Sequence, residues 1–141
     1  MPHVSKNKLN DAVLQDLSRR LVSVLSALTE RGAMGDFLDD LLTRTEKTML
    51  AKRLAIAIML AEEYPFRIIS AALKVSESTV CAMRERMDKG GRGFDLVHRR
   101  LKKERKIEKI LETIDKLVRT FAMPPIAGRG RWRFLRESSG G

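Results

Sequence analysis

Apolar residues recur at intervals of three and four over most of this chain, the period of helices with one buried stripe. Leu14, Leu17, Leu21, Val24 and Leu28 form the first stripe and predict a helix from about Leu9 to Leu28, spaced as a helix-helix seam requires. Arg31-Gly32-Ala33-Met34-Gly35 reads as a break, with a short helix expected over Asp36 to Leu42. Thr43-Arg44-Thr45-Glu46 has the form of a capping box, in which Thr43 and Glu46 satisfy each other's free amides. The helix it opens, Arg44 to Glu63, carries Met49, Leu50, Leu54, Ile56, Ala57, Ile58, Met59 and Leu60, so it is expected to be covered on more than one side. Tyr64-Pro65 ends it, because the residue before proline is pushed out of the helical region.

Phe66 to Met87 then reads as two short helices joined by a tight turn. Ile69 pairs with Leu73 on one helix and Val80 with Met83 on the next, while Val75 plugs the corner and small Ser70 sits where the helices cross. Ser76 is a good N-cap for the free amide of Ser78 or Thr79. Lys74 occupies the turn position where glycine is commonest, at a cost of about 1 kcal/mol if its φ is positive. The pattern matches a helix-turn-helix, whose second helix enters the major groove of DNA. Lys89-Gly90-Gly91-Arg92-Gly93 reads as a breaker, and Phe94 to Phe121 as one last long helix. The expected fold class is all-α: a multi-helix domain over residues 1–121 with its helix-turn-helix at 66–88 and long amphipathic terminal helices. A basic, flexible tail is expected over 122–141. No internal repeat stands out.

Composition agrees and narrows the function. The 141 residues are 43% hydrophobic and only 5% aromatic, which suits an aliphatic helical core. The net charge of +10 is unevenly placed: residues 1–64 hold 9 basic and 9 acidic side chains, residues 65–141 hold 19 and 9. All the excess therefore lies in the half that begins with the helix-turn-helix, and a polyanion is the natural partner. One cysteine, Cys81, excludes an internal disulfide framework and fits a reducing cytoplasm. The N-terminus lacks a signal-peptide core, no apolar run is long enough to span a bilayer, and a cytoplasmic protein that makes no membrane contact is expected. His3 and His98 are isolated, one cysteine builds no ordinary zinc site, and Gly90-Gly91-Arg92-Gly93 lacks the strand and Lys-Ser/Thr of a phosphate loop. No metal, no cofactor and no enzymatic activity are expected. Long amphipathic helices at both ends leave more apolar surface than one small subunit covers, so a homodimer is expected, against a compact monomer with those helices folded back.

Roughly from Phe37 to Val97 the chain resembles the Trp repressor superfamily, and within it the uncharacterised branch of small Trp-repressor-like regulators. Leu41-Leu42-Thr43 with Glu46, then Leu50, Arg53 and Leu54, carry the likeness. It continues with Ile68-Ile69-Ser70, Leu73-Lys74-Val75-Ser76-Glu77-Ser78-Thr79-Val80, and the ending Gly90-Gly91-Arg92-Gly93-Phe94-Asp95-Leu96-Val97. The resemblance implies an intertwined all-helical dimer with two symmetric reading heads and raises the question of an amino-acid corepressor. Thr43 and Arg53 match the threonine and arginine that help hold tryptophan in the true repressor. The second arginine of that pocket is Ala82 here, which removes one wall.

On the proposed recognition helix Val80, Met83 and Met87 face inward. Glu77, Ser78, Cys81, Ala82 and Glu85 face outward, with Thr79 and Arg84 on the flanks. The expected DNA-binding set is Arg67, Ser76, Glu77, Ser78, Thr79, Cys81, Ala82, Arg84 and Arg86. Arg67 suits a phosphate or a guanine, Ser76, Ser78 and Thr79 a phosphate or base edge, and Cys81 or Ala82 a thymine methyl. Arg84 and Arg86 read as backbone clamps. Glu77 either accepts from a cytosine amino group or complements the helix dipole. Cys81 is a space-filler or a redox sensor. The basic run Arg99 to Lys109 is a solvated face or a phosphate contact, and the tail, with Trp132 and Phe134 among four arginines, an arm or a plain end. Two other readings remain: a basic RNA- or ribosome-associated protein using the run and the tail, and a protein-interaction module.

Overall fold

A computed structural model of the chain describes residues 7–122, the side chains of 121 and 122 excepted. The tail expected over 122–141 lies, past Ala122, outside the described residues. The described residues form seven helices and no strands: α1 Asp11–Ala27, α2 Arg31–Leu41, α3 Arg44–Ala61, α4 Phe66–Leu73, α5 Glu77–Gly90, α6 Arg92–Lys103 and α7 Ile107–Ala122. They fall into two compact units that divide within α3, at Leu50.

In the first unit, the side chain of Asn10 caps α1 by accepting from the Ala12 amide at 2.9 Å. The predicted stripe is present and, among the described residues, exposed: Leu14, Leu17, Leu21 and Val24 are 51, 50, 43 and 44% exposed, and α1 buries no residue. The expected break at Arg31–Gly35 is corrected. It is the first turn and a half of α2, which half-buries Ala33, Met34, Phe37 and Leu38 on one face. Two glycines inside a helix cost about 1 kcal/mol each, and that face outweighs them. The capping box stands as predicted: the Thr43 amide donates to Glu46 Oε2 at 2.7 Å and the Glu46 amide to Thr43 Oγ1 at 3.2 Å. These bonds hold the Glu46 carboxyl below the usual carboxylate range. An ion pair between Lys47 and Asp39 ties the start of α3 to α2.

The second unit holds the core. Ile56, Ala57, Ile58, Met59 and Leu60 are all buried, so the last turns of α3 are covered all round as expected. Leu54, one turn earlier, is 42% exposed, and there the expectation fails within this chain. Ile69, Ala72 and Leu73 from α4, Val80 and Met83 from α5, and Ile107, Ile114 and Val118 from α7 complete the cluster. α7 packs mainly on α4. The single last helix predicted over Phe94–Phe121 is two helices.

Three helices of this unit end alike, on a residue with left-handed backbone that is not glycine: Glu63 (φ 62°), Lys74 (φ 53°) and Arg105 (φ 54°). After α3, the Tyr64 amide returns to the Met59 carbonyl and the Glu63 amide to Leu60. After α6, Lys106 returns to Leu101 and Arg105 to Lys102. Both are Schellman closures, which satisfy the last carbonyls and turn the chain sharply. The predicted breaker at Lys89–Gly93 shrinks to Gly91. A Cβ there would lie 2.8 Å from Met87 Cα and 2.9 Å from Met87 O, so the corner between α5 and α6 requires glycine.

Candidate nucleic-acid interface

α4 and α5 are joined by Lys74-Val75-Ser76. Lys74 takes the left-handed conformation anticipated for it (φ 53°, ψ 52°), and Val75 is half-buried against the core. Ser70 does more than keep the crossing small. Its carbonyl accepts from the amides of Lys74 and Val75, and its hydroxyl donates to the Val75 carbonyl at 2.6 Å. The turn is thus pinned from both sides by one residue of α4. Small size was legible in the sequence; the hydroxyl's role was not.

Ser76 caps α5. Its Oγ accepts from the Thr79 amide at 3.2 Å and lies 2.9 Å from Ser78 Oγ and 2.8 Å from Thr79 Oγ1. A hydroxyl has one donor and two acceptor sites, so these contacts use up Ser76. Ser78 and Thr79, both exposed, keep hydrogen-bonding capacity at the positive end of the helix. Glu77 sits in the first turn, where its charge complements the dipole.

Beyond the cap, α5 has two distinct sides. Val80 is fully buried, Met83 is 6% exposed and Met87 is half-buried. Glu77, Ser78, Thr79, Cys81, Ala82, Arg84, Glu85 and Arg86 are all exposed. Arg67, second residue of α4, is exposed as well. Arg84 pairs with Asp88 at 3.3 Å, whereas Arg67 and Arg86 have no ion pair among the described residues. The candidate residues therefore share one continuous exposed stretch of α5, with Arg67 close in sequence at the start of α4. Side chains between Ser78 and Ala82 are small or uncharged, so that stretch is narrow.

Two candidates lie elsewhere. The Thr43 hydroxyl is engaged in the capping box of the first unit, and Arg53 is exposed on α3 in the second. Four of the seven cations in the basic run Arg99–Lys109 are held in ion pairs. Arg99 pairs with Asp95 at 3.1 Å, Arg100 and Lys106 with Glu104 at 3.1 and 2.6 Å, and Lys102 with Glu62 at 3.1 Å. Hydrogen bonds from Lys106 and Arg100 hold the Glu104 carboxyl below its usual range.

His98, isolated in sequence, donates through Nε2 to Glu62 Oε1 at 2.7 Å. Burial would raise the Glu62 carboxyl pKa, but the bonds from His98 and Lys102 outweigh burial and hold it below the usual range. This cluster fastens α6 to the end of α3. Its trace in the sequence is the four-residue spacing of His98 and Lys102, which puts both on one helix face. Tyr64 OH donates to Asp115 Oδ1 at 3.1 Å and fastens α7 in the same way. No group of side chains among the described residues suits a metal ion, and no helix among them is long and apolar enough to cross a membrane.

A family model described as Trp repressor protein matches residues 16–102, more than half of the chain. The match runs from α1 to the penultimate residue of α6 and leaves α7 outside. No curated protein and no solved structure matches the chain.

Proposed function

Because this chain belongs to the Trp repressor family, whose members are non-enzymatic regulators, we propose that it is a sequence-specific, DNA-binding transcriptional repressor acting as a homodimer in the cytoplasm. Its Gly90–Val97 ending, which resembles that of the small Trp-repressor-like regulators, supports a place in that branch of the family. One observation carries the reading: α5 is held from inside by Val80 and Met83 while Ser78, Cys81, Ala82 and Glu85 stay exposed. Such a helix, rigid and bare on one side, suits the major groove. Ser78 and Thr79 then meet phosphate or base edges, Cys81 and Ala82 lie against thymine methyls, and Arg67 and Arg86 hold the backbone. Ser76 sets the helix start and Arg84, shared with Asp88, clamps more weakly.

The uncovered stripe of α1 supports the homodimer, since a second copy offers the same stripe and two reading heads related by a two-fold axis. No corepressor step enters the proposal, because Ala82 leaves the resembling pocket of Thr43 and Arg53 without its second arginine. The RNA-binding alternative uses the run Arg99–Lys109 and the tail; ion pairs engage four of the run's seven cations, and the tail past Ala122 lies outside the described residues.

Selection of bound duplexes from a random pool at physiological salt tests the reading. A palindromic site with half-sites about one helical turn apart is the expected result. Recovery of no motif, with equal binding to single-stranded RNA, refutes it.

A further inference from the structure

α7 lies outside the family match, and its apolar stripe is fully used. Unlike α1, it has no exposed large apolar side chain among the described residues. Ile107, Ile114 and Val118 are buried, and Ile110, Leu111 and Leu117 pack against the same core. The helix is therefore spent within its own subunit, on α4 first and α6 second. Its polar contact falls at the joint between α3 and α4. Tyr64 follows the left-handed Glu63 that closes α3, and its amide donates to the Met59 carbonyl at 3.0 Å. Pro65 comes next and caps α4, its carbonyl accepting from the amides of Ile68 and Ile69. Tyr64 is 7% exposed, and its hydroxyl donates to Asp115 Oδ1 on α7 at 3.1 Å. α4 in turn packs on α5, whose Val80 and Met83 share the core with Ile69 and Leu73. A rotation of α4 on that joint carries α5 with it, drags Ile114 and Val118 across the core and pulls Tyr64 from Asp115.

We propose that Tyr64 and Asp115 are positioning residues for the reading helix: through them α7 holds the α4–α5 head at the angle that sets which half-site spacing a dimer reads. The inference rests on the reading of α5 given above. The angle matters because α5 is long. Its 14 residues span about 21 Å. A rotation of about 10° about one end of such a rod moves the other by about 3.6 Å, one base-pair step. Losing one partly buried hydrogen bond shifts an opening equilibrium roughly three- to tenfold, enough to let that step be taken.

The test uses the full chain and three full-length variants, Asp115→Ala, Tyr64→Phe and Asp115→Asn. Asparagine keeps a carbonyl oxygen for the tyrosine hydroxyl, whereas alanine and phenylalanine each remove one partner. Palindromes with the selected half-sites at the selected spacing, and one base pair longer and shorter, are titrated by fluorescence anisotropy. The temperature is one at which circular dichroism shows every variant folded, and hydrogen exchange is followed at the α4 amides. The parent should prefer the selected spacing by on the order of tenfold. Asp115→Ala and Tyr64→Phe should cut that preference by about threefold and speed exchange at α4 roughly three- to tenfold, with Asp115→Asn close to the parent. Variants that keep the parent's spacing preference overturn the positioning role, even where all affinities fall together, and leave the reading of α5 standing. An Asp115→Asn variant as permissive as Asp115→Ala overturns it too, because the tyrosine bond is then not what holds the head. A parent that selects its half-site yet ignores spacing does the same. If the parent prefers no duplex at all, the reading of α5 fails and the positioning role falls with it.

Discussion

Ala82 and Met83 are neighbours on opposite sides of α5, and replacing each in turn separates a groove-reading helix from a structural one. Met83 is 6% exposed and packs in the core with Val80 and Leu73. Met83→Ala removes three heavy atoms from that core and should cost about 2–4 kcal/mol, within the range for buried methionine. In a domain of this size that lowers Tm by roughly 10 °C. Ala82 is exposed, and Ala82→Glu should change stability by no more than about 0.5 kcal/mol. In the groove, the same substitution sets a carboxylate against phosphates and should weaken duplex binding by at least about tenfold, or 1.4 kcal/mol. Melting followed by circular dichroism and fluorescence anisotropy with the selected duplex at one fixed salt read both effects. Met83→Ala should bind normally below its Tm, whereas Ala82→Glu should melt normally and bind poorly. Normal binding by Ala82→Glu would refute the placement of α5 in the groove. A fall in its Tm of several degrees would show that its exposed side is packed.

Four further outcomes follow from the geometry. Lys74→Gly relieves a left-handed residue and should stabilise the fold by about 0.5 kcal/mol in urea unfolding, the gain being partly offset by glycine's greater chain entropy. Gly91→Ala drives a Cβ into the Met87 backbone and should cost about 1–3 kcal/mol, while Gly93→Ala, with open space around it inside α6, should stabilise. The lowered pKa of Glu62 means that its charged form is favoured in the folded state, so its contribution is full above the unfolded value near 4.3 and fades as pH falls through the lower folded value. Urea midpoints taken between pH 7 and 3 should show that loss in the parent and not in Glu62→Gln. Leu17→Glu with Leu21→Glu on the uncovered stripe of α1 should shift sedimentation from dimer to monomer, and an unchanged molecular mass would remove the dimer from the proposal.

What the sequence makes legible here are interactions between near neighbours. The capping box at Thr43 and Glu46, the N-cap at Ser76, the inward set Val80, Met83 and Met87 and the left-handed Lys74 all follow from spacing and residue type within one or two turns. The misread boundaries share one cause. Glycine reads in a sequence as a chain break, yet Gly32 and Gly35 lie within α2, and α6 ends at Lys103 on an Arg105 closure with neither glycine nor proline. That turn exists because Leu101 and Ile107 both reach the core, and a straight helix could not bring both to it. The pairing of Glu62 with His98 spans 36 residues and that of Tyr64 with Asp115 spans 51, distances over which one sequence carries no pairing signal.

If α5 reads a duplex as proposed, the charges around it divide the work of binding. Its exposed side carries Glu77 and Glu85, and Arg84 is shared with Asp88, so that side alone does not attract a polyanion. In the proposed reading attraction comes from cations around it, Arg67 and Arg86 among them, neither of which needs to touch a base. In the same reading discrimination falls to Ser78, Thr79, Cys81 and Ala82, whose hydroxyls and small apolar groups suit base edges at short range. Acidic residues beside such a reader lower its affinity for every duplex alike. Binding then becomes useful only where good base contacts repay that loss, and a helix with two glutamates on its reading side is consistent with selectivity rather than tight general binding.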